Sequence, residues 1–523
     1  MTTTAAIVLA AGKGTRMRSH LPKVLHTFLG RPMLFPPVDA ALRAGVDRVV
    51  VVVGHGASDV REQLTAAFPG WPIAYASQSE QRGTGHAVQC GLGAAGEVDE
   101  ILVLYGDTPL LTSKTLAALL DAHRKSGAAY TVSTFRADDP KGYGRIVRDP
   151  NGNVRRIVEE VDASPEERAI TEVNAGLAVA SREVLAKTIG DLVPHNAQGE
   201  LYLTDVVGAL AARGKKVAAF LLPESIEAAG INTRSQLAGL EEVALGRVRN
   251  LWMDRGVSMR GAPTIWIDGE VEIGEDTTLG PRVQLLGKTR IGRGCRIDAG
   301  VILDHCEIGD GVHVKPYTVA AYSRMASQCV VGPFAHLRPG TVLGESVKIG
   351  NFVETKQASF GAHSKASHLS YLGDCEIGRD VNIGAGTITC NYDGFDKHVT
   401  TLEDGVFVGS DVQFVAPVTV HKNAVIAAGT TVVADVPEGA LASARTPQTN
   451  REGYYERRRK PREEAKRAGK LTPAAPVASP PRDAAPVSRR APRPPMATVA
   501  TVAPAAVAPV EAATPAPTPD PKT

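Results

Sequence analysis

Glycines and cations crowd the segment Leu9-Ala-Ala-Gly-Lys-Gly-Thr-Arg-Met17, directly after the apolar run Ala5–Ala10. Gly12 and Gly14 let backbone N–H groups approach an anion, and Lys13 and Arg16 add positive charge, so the segment is built to hold phosphate. It is not a P-loop, because GxxxxGK[ST] is absent, and Met17 stands where the dinucleotide fingerprint has its third glycine. A further cation, Lys23, follows in Leu21-Pro-Lys-Val-Leu-His26. A second apolar run, Ile101–Tyr105, ends in Gly106-Asp107 and offers a carboxylate. Hard Mg²⁺ takes oxygen ligands, one or two carboxylates plus substrate phosphates, and Asp107 suits it. In the second half His368 brings an imidazole of unperturbed pKa about 6.5, able to take a proton near neutrality. Taken alone, His368 is equally a structural histidine.

These groups need elements to position them. Over residues 1 to about 230, apolar runs such as Arg48–Val53 alternate with helical stretches, which predicts an α/β Rossmann-like sheet of largely parallel strands covered on both faces. Ligands of such sheets bind beyond the carboxyl ends of the strands, where the glycine loop and Asp107 fall. The second half has another period. Ile267, Ile273, Leu279, Leu285, Ile291, Ile297 and Leu303 are six apart, and Ile308 and Val314 follow after a one-residue slip. The step resumes at Val331–Ile349, Ile377–Ile383 and Val408–Val432. Neither a helix nor an ordinary strand has this period; short strands separated by regular corners do, as in a parallel β-helix. At three hexads per coil the tract makes roughly ten coils about 4.8 Å apart. Two breaks, Ala358–Gly373 and Thr389–His398, are expected to be loops on the binding face.

With 58 Lys and Arg against 56 Asp and Glu, the net charge of +2 points to neither nucleic acid nor an anionic membrane. No apolar run approaches membrane-spanning length and the start lacks a basic n-region, so a cytoplasmic protein without membrane insertion is expected. Cys90, Cys295, Cys306, Cys329, Cys375 and Cys390 show no CxxC pairing and are expected to be reduced core residues. Arg451–Lys470 is dense in Arg, Lys and Glu, a plausible exposed helix; a basic tether for a partner and a solvated extension both fit, the extension better. Beyond Leu471 the Ala/Pro-rich sequence predicts a disordered tail.

The combination GxGTRM with the following PK strongly resembles the sugar-nucleotide pyrophosphorylases. The second half carries Leu337-Arg-Pro-Gly340, Asn351-Phe-Val-Glu-Thr-Lys356, the histidine segment and Asn391-Tyr-Asp-Gly394. With these the chain, over about residues 5 to 455, resembles the bifunctional N-acetylglucosamine-1-phosphate uridylyltransferase/glucosamine-1-phosphate N-acetyltransferases. The resemblance implies a pyrophosphorylase domain at 1–234, a helical linker at 235–261, and a left-handed β-helix acetyltransferase domain at 262–446. A basic segment at 447–470 and the tail at 471–523 follow. It also implies a homotrimer.

The first site implied for UTP and the sugar comprises Leu9, Ala10, Ala11, Gly12, Lys23, Gln78, Gly83, Thr84, Tyr105, Gly106, Asp107, Gly144, Glu159, Asn174 and Asn232. Arg16 and Lys23 would serve catalysis, and Asp107 and Asn232 would bind Mg²⁺. No protein base is needed, because the phosphate of N-acetylglucosamine 1-phosphate is itself the nucleophile towards the α-phosphorus of UTP. The second site would use His368 as general base towards glucosamine 1-phosphate, held by Arg338, Lys356, Tyr371 and Asn382. Acetyl-CoA, the co-substrate, would lie near Ala385, Asn391, Tyr392, Ser410, Ala428 and Arg445. One stretch departs from the family: Met33-Leu-Phe-Pro-Pro-Val-Asp39 puts two prolines where relatives begin a helix, so a delayed or kinked start is expected. Three rival readings are a nucleotidyltransferase with a merely structural β-helix, a noncatalytic pyrophosphorylase-like scaffold and a lone acyltransferase. Each would lack one of the residue sets above.

Overall fold

Three apolar strands, Thr4–Ala10, Arg48–Val53 and Glu100–Tyr105, lie side by side at the centre of the amino-terminal sheet and are buried apart from Arg48 and, in part, Leu9 and Tyr105, as their apolar runs demand. In this computed structural model, which describes residues 2–193, 199–444 and 447–469, the sheet runs Val217–Leu221, Tyr130–Arg136, Glu172–Ser181, Glu100–Tyr105, Thr4–Ala10, Arg48–Val53, Ile73–Ser77. Pairing is parallel except at Glu172–Ser181, antiparallel to both neighbours. Leu9 lies beside Tyr105, and Val53 beside Ala10 and Ser77, so the glycine loop, Asp107 and Gln78 leave the sheet at one edge. The prolines do not kink the next helix. Phe35–Arg43 starts at Phe35, and Pro36 and Pro37 occupy its first turn, where no intrahelical N–H is required of them.

Helix Arg234–Asp254 connects the sheet to the coil. Thr233 and Gln236 form its capping box, and Gln236 Oε1 also accepts the Asn232 N–H at 2.8 Å. At its far end Trp252 packs into the core of the coil.

The carboxy-terminal half is a parallel β-helix, and every residue of the hexad series is buried. Trp266 lies beside Gln284, eighteen residues on, and Arg290 beside Glu307, seventeen on, which is the one-residue slip. The segment Ala358–Gly373 is not a loop, contrary to expectation. It belongs to two continuous strands, Lys348–Phe360 and Lys365–Ile377, paired with Asn351 beside His368. The rungs there are Thr355, Phe360, Ala366 and Leu372, all buried, so the ladder persists while its aliphatic signature does not. Only the second break leaves the coil: Tyr371 pairs seventeen on with Ile388, but Cys375 twenty-five on with Thr400.

Cys295, Cys306, Cys329 and Cys375 are buried, but Cys90 is half-buried and Cys390 exposed, so two of the six are not core residues. Cys390 follows the alternation of Ile388–Cys390, in which only Thr389 points inward. Among residues 447–469, a π-type turn Tyr455–Arg459 runs into helix Lys460–Arg467, its side chains mostly exposed. Arg445, Lys470 and the tail 471–523, with the expectations attached to them, lie outside the described residues.

Two candidate active sites

The first site follows from how the glycine loop closes. Gly14 has φ +61°, and any Cβ there would collide with Lys23, so glycine brings the lysine against the loop. A Cβ at Gly12 would meet nothing within 4 Å; the space beside it is the cavity itself. That cavity, about 260 Å³, is lined by Leu9, Ala10, Ala11, Gly12, Lys23, Gln78, Gly83, Thr84, Tyr105 and Asp107 from the expected set, joined by Gln81 and Glu200. Gly83, at φ +100°, opens helix Thr84–Ala95 where a Cβ would come within 2.5 Å of the Leu201 carbonyl. No other residue permits that approach.

At the cavity's edge the Lys23 ammonium pairs with Asp107 Oδ2 and donates to Asn232 Oδ1 at 2.7 Å, while Arg16 Nη2 donates to the same Asn232 oxygen at 2.9 Å. The Ile231 N–H donates to the Asp107 carbonyl at 2.9 Å, fastening the two loop segments of this cluster. Gly106 lies behind the cavity, where a Cβ would touch Leu34. Gly144, Glu159 and Asn174 form a second group: Asn174 N–H donates to the Gly144 carbonyl at 2.8 Å, and a Cβ on Gly144 would lie 3.3 Å from Glu159. Glu159 lines a separate cavity of about 470 Å³, and burial pushes its carboxyl upward although Thr204 donates to it at 2.9 Å. Tyr105 links the groups, its phenol raised by burial and then by Glu159 and Asp107. Arg145, beside Gly144 in sequence, is buried and turned away to Glu160 at 2.6 Å, a structural role.

The second site lies across one face of the coil. His368 sits on an exposed corner, its Nδ1 2.8 Å from Asn351 Oδ1. An amide oxygen only accepts, so Nδ1 carries the proton and Nε2 keeps its lone pair. The strand register puts Ala385, Ser410 and Ala428 at the same corner of successive coils, one column continuing from His368. At the other end of that face stand Arg338, 2.9 Å from Glu354, and Lys356, 3.5 Å from Asp374. Asn391 is buried and donates to Asp374, and Tyr392 is exposed with its hydroxyl 2.7 Å from the Gly394 carbonyl. Tyr371 reaches towards this end, since a Cβ on Gly373 would meet its hydroxyl at 2.5 Å. Asn382 lies apart on the preceding face, beside Lys365 and Phe407.

Sequence reasoning missed Asn351, Asp374 and Lys397. Lys397 lies beside Lys356: the contact raises the Lys356 ammonium and lowers that of Lys397. Its loop is tied by Asp393, which is held down to about 2 by the Asp396 N–H first, then by His398. Asn351 could have been found from the coil period, being seventeen residues before His368. No spacing announces Lys397, which stands in the inserted loop.

Among known proteins, the family model for the MobA-like NTP transferase domain matches residues 6–189, that for the GMPPB C-terminal domain residues 262–358, and the hexapeptide repeat of succinyl-transferase residues 399–434. The hexapeptide match falls on the last coils and agrees with their six-residue period and parallel strands. The bifunctional protein GlmU of Pelobacter propionicus is 52% identical over 461 residues, 88% of this chain and 100% of its own. GlmU of Trichlorobacter lovleyi is 52% identical over 460 residues (88% and 99%), and that of Geobacter sulfurreducens 49% over 473 (87% and 99%). With identity of this depth across both halves, the chain belongs to the GlmU family of bifunctional enzymes, which acetylate glucosamine 1-phosphate and uridylylate N-acetylglucosamine 1-phosphate.

Proposed function

We propose that residues 1–234 carry uridylyl transfer and residues 262–446 acetyl transfer, with 235–261 as connecting linker, through the residues described above. The observation that carries the first assignment is the Lys23 ammonium held between Asp107 and Asn232 at the mouth of the cavity. A carboxylate and an amide oxygen that draw in a cation form a hard-oxygen site, and they fit Mg²⁺ completed by substrate phosphates. When bound, Mg²⁺ neutralises triphosphate charge. The chain's own part is to cradle the phosphates with the amides of residues 11–14 and to offset charge with Arg16 and Lys23. A phosphate oxygen of N-acetylglucosamine 1-phosphate then attacks the α-phosphorus, and pyrophosphate departs. Gln78 reads the uracil, and Glu159 with Asn174 and Gly144 holds the sugar.

In the second site the amino sugar spans one face of the coil. His368 and the residue paired with Lys356 are five residues apart along the strand, about 16 Å, which long side chains and a sugar phosphate bridge. The ammonium faces His368 and the phosphate faces Arg338, Lys356 and Lys397. Nε2 takes one ammonium proton and passes it to solvent, the freed amine attacks the thioester carbonyl, and as the C–S bond breaks Nε2 carries a second proton from the nitrogen to the departing thiolate. Acetyl-CoA follows the column Ala385, Ser410, Ala428. His368 stands on an exposed corner, so a second subunit is needed to exclude water, which supports a homotrimer. No helix among the described residues is long and apolar enough to cross a membrane, and we assign the enzyme to the cytoplasm.

Two half-reactions on one chain allow a reciprocal test. Asp107→Asn or Lys23→Ala should lower pyrophosphate release at least about a hundredfold while thiol release from acetyl-CoA continues; His368→Ala should do the reverse. Normal uridylyl transfer in either of the first two variants would refute the first assignment.

A further inference from the structure

We propose that His86 is a positioning residue that fixes the orientation of the Gln78 side-chain amide and so makes the first site select uracil over cytosine; this rests on Gln78 being the residue that reads the base. Gln78 follows strand Ile73–Ser77, lines the cavity, and is 5% exposed. Its Nε2 lies 3.1 Å from the Gly83 carbonyl and 3.2 Å from His86 Nδ1. A carbonyl only accepts, so the atom facing Gly83 is the amide nitrogen, and its second hydrogen points at His86. Nδ1 must then present a lone pair, which puts the ring proton on Nε2. Cys90 Sγ lies 3.7 Å from that nitrogen and serves as its weak acceptor. Arg82 Nη2, a donor only, lies 3.3 Å from the same nitrogen and cannot bond to it in this tautomer; its side chain is exposed and has the Glu80 carboxylate at 3.5 Å as its partner instead.

With both amide hydrogens taken, the only Gln78 atom left for a ligand is Oε1, an acceptor. Uracil offers a donor, N3–H, between its two carbonyls; cytosine has a lone pair at N3 and leaves Oε1 facing another acceptor. A buried polar group without its partner discriminates strongly. His86 touches no reacting atom. It is 9% exposed and fixed in the first turn of helix Thr84–Ala95, so its lone pair is held where the amide needs it.

The test compares kcat/KM for UTP and CTP in the full-length enzyme, with acetyl transfer on the same samples as the measure of intact folding. His86→Leu should lower the UTP:CTP ratio about tenfold or more, mainly by loss on UTP. In His86→Asn, the side-chain oxygen replaces Nδ1 as acceptor, and the ratio should stay within about threefold of the parent. Gln78→Ala separates the two assumptions. If it loses discrimination but His86→Leu does not, the positioning role is overturned; if it too keeps the ratio, Gln78 does not read the base and both ideas fall. Should His86→Leu fail to fold, the ¹⁵N resonances of the wild-type His86 imidazole decide: a proton on Nε2 supports the proposal, and a proton on Nδ1 overturns it.

Discussion

Glu159 shows how a single side chain can trade stability for binding. Burial raises its carboxyl pKa, outweighing the hydrogen bond from Thr204, because the charged form loses water on folding. A carboxyl whose pKa is higher folded than unfolded favours folding below its unfolded value, and that advantage is lost as pH rises through the folded value. At neutral pH the ionised group therefore weakens the fold. Glu159→Gln keeps an acceptor for Thr204 and removes the charge, so Tm should rise by roughly 2 °C at pH 7, and the gap should close towards pH 4. Uridylyl transfer should fall at least about tenfold in the same variant, because the carboxylate is assigned to the sugar. Calorimetry across pH checks the first statement; an advantage over the parent no larger at pH 7 than at pH 4 contradicts it.

At the scale of elements, much of the architecture was legible because it is written in local pattern. Unbroken apolar runs gave the central strands, and the six-residue step gave the coil, since both periods depend only on which face each residue takes. The misreading of Ala358–Gly373 has the same origin. The coil needs small or apolar residues on its rungs, and Thr355 and Ala366 meet that need without a large aliphatic side chain. Asp374, eighteen residues after Lys356, was within reach of the coil period, but Lys397 was illegible because an inserted loop, not the spacing of the coils, brings it to Lys356. The rung at Thr355 also has a directional hydrogen bond. Thr341 Oγ1 donates to the Arg338 carbonyl at 2.8 Å, so at 2.9 Å it must accept from Thr355. Thr355→Val removes only a donor and should cost under about 1 kcal/mol. Thr341→Val strands the buried Thr355 hydroxyl and should cost about 1–3 kcal/mol. A lower urea midpoint for Thr355→Val than for Thr341→Val would show that the bond runs the other way.

For the whole molecule, the question is what covers the corner that carries His368. Tyr317, Phe334 and Phe352 stack there with ring centroids 5.4 and 5.5 Å apart, and Leu369 continues the line beside the histidine. Their exposures of 46, 49, 56 and 63% increase towards His368, an apolar edge left in water by a single chain. Such a stripe suits contact with another copy of the chain, and it adjoins the group that needs shielding. Phe352→Asp places a charge in the middle of the stripe without touching the buried rungs. It should convert the assembly to monomer in analytical ultracentrifugation and lower acetyl transfer about a hundredfold, the cost of a site left open and misaligned. Uridylyl transfer should stay within about twofold, because none of the stripe residues lines its cavity. A monomeric variant that acetylates glucosamine 1-phosphate at the parental rate would mean that one chain suffices for proton abstraction by His368, and would remove the argument for the proposed trimer.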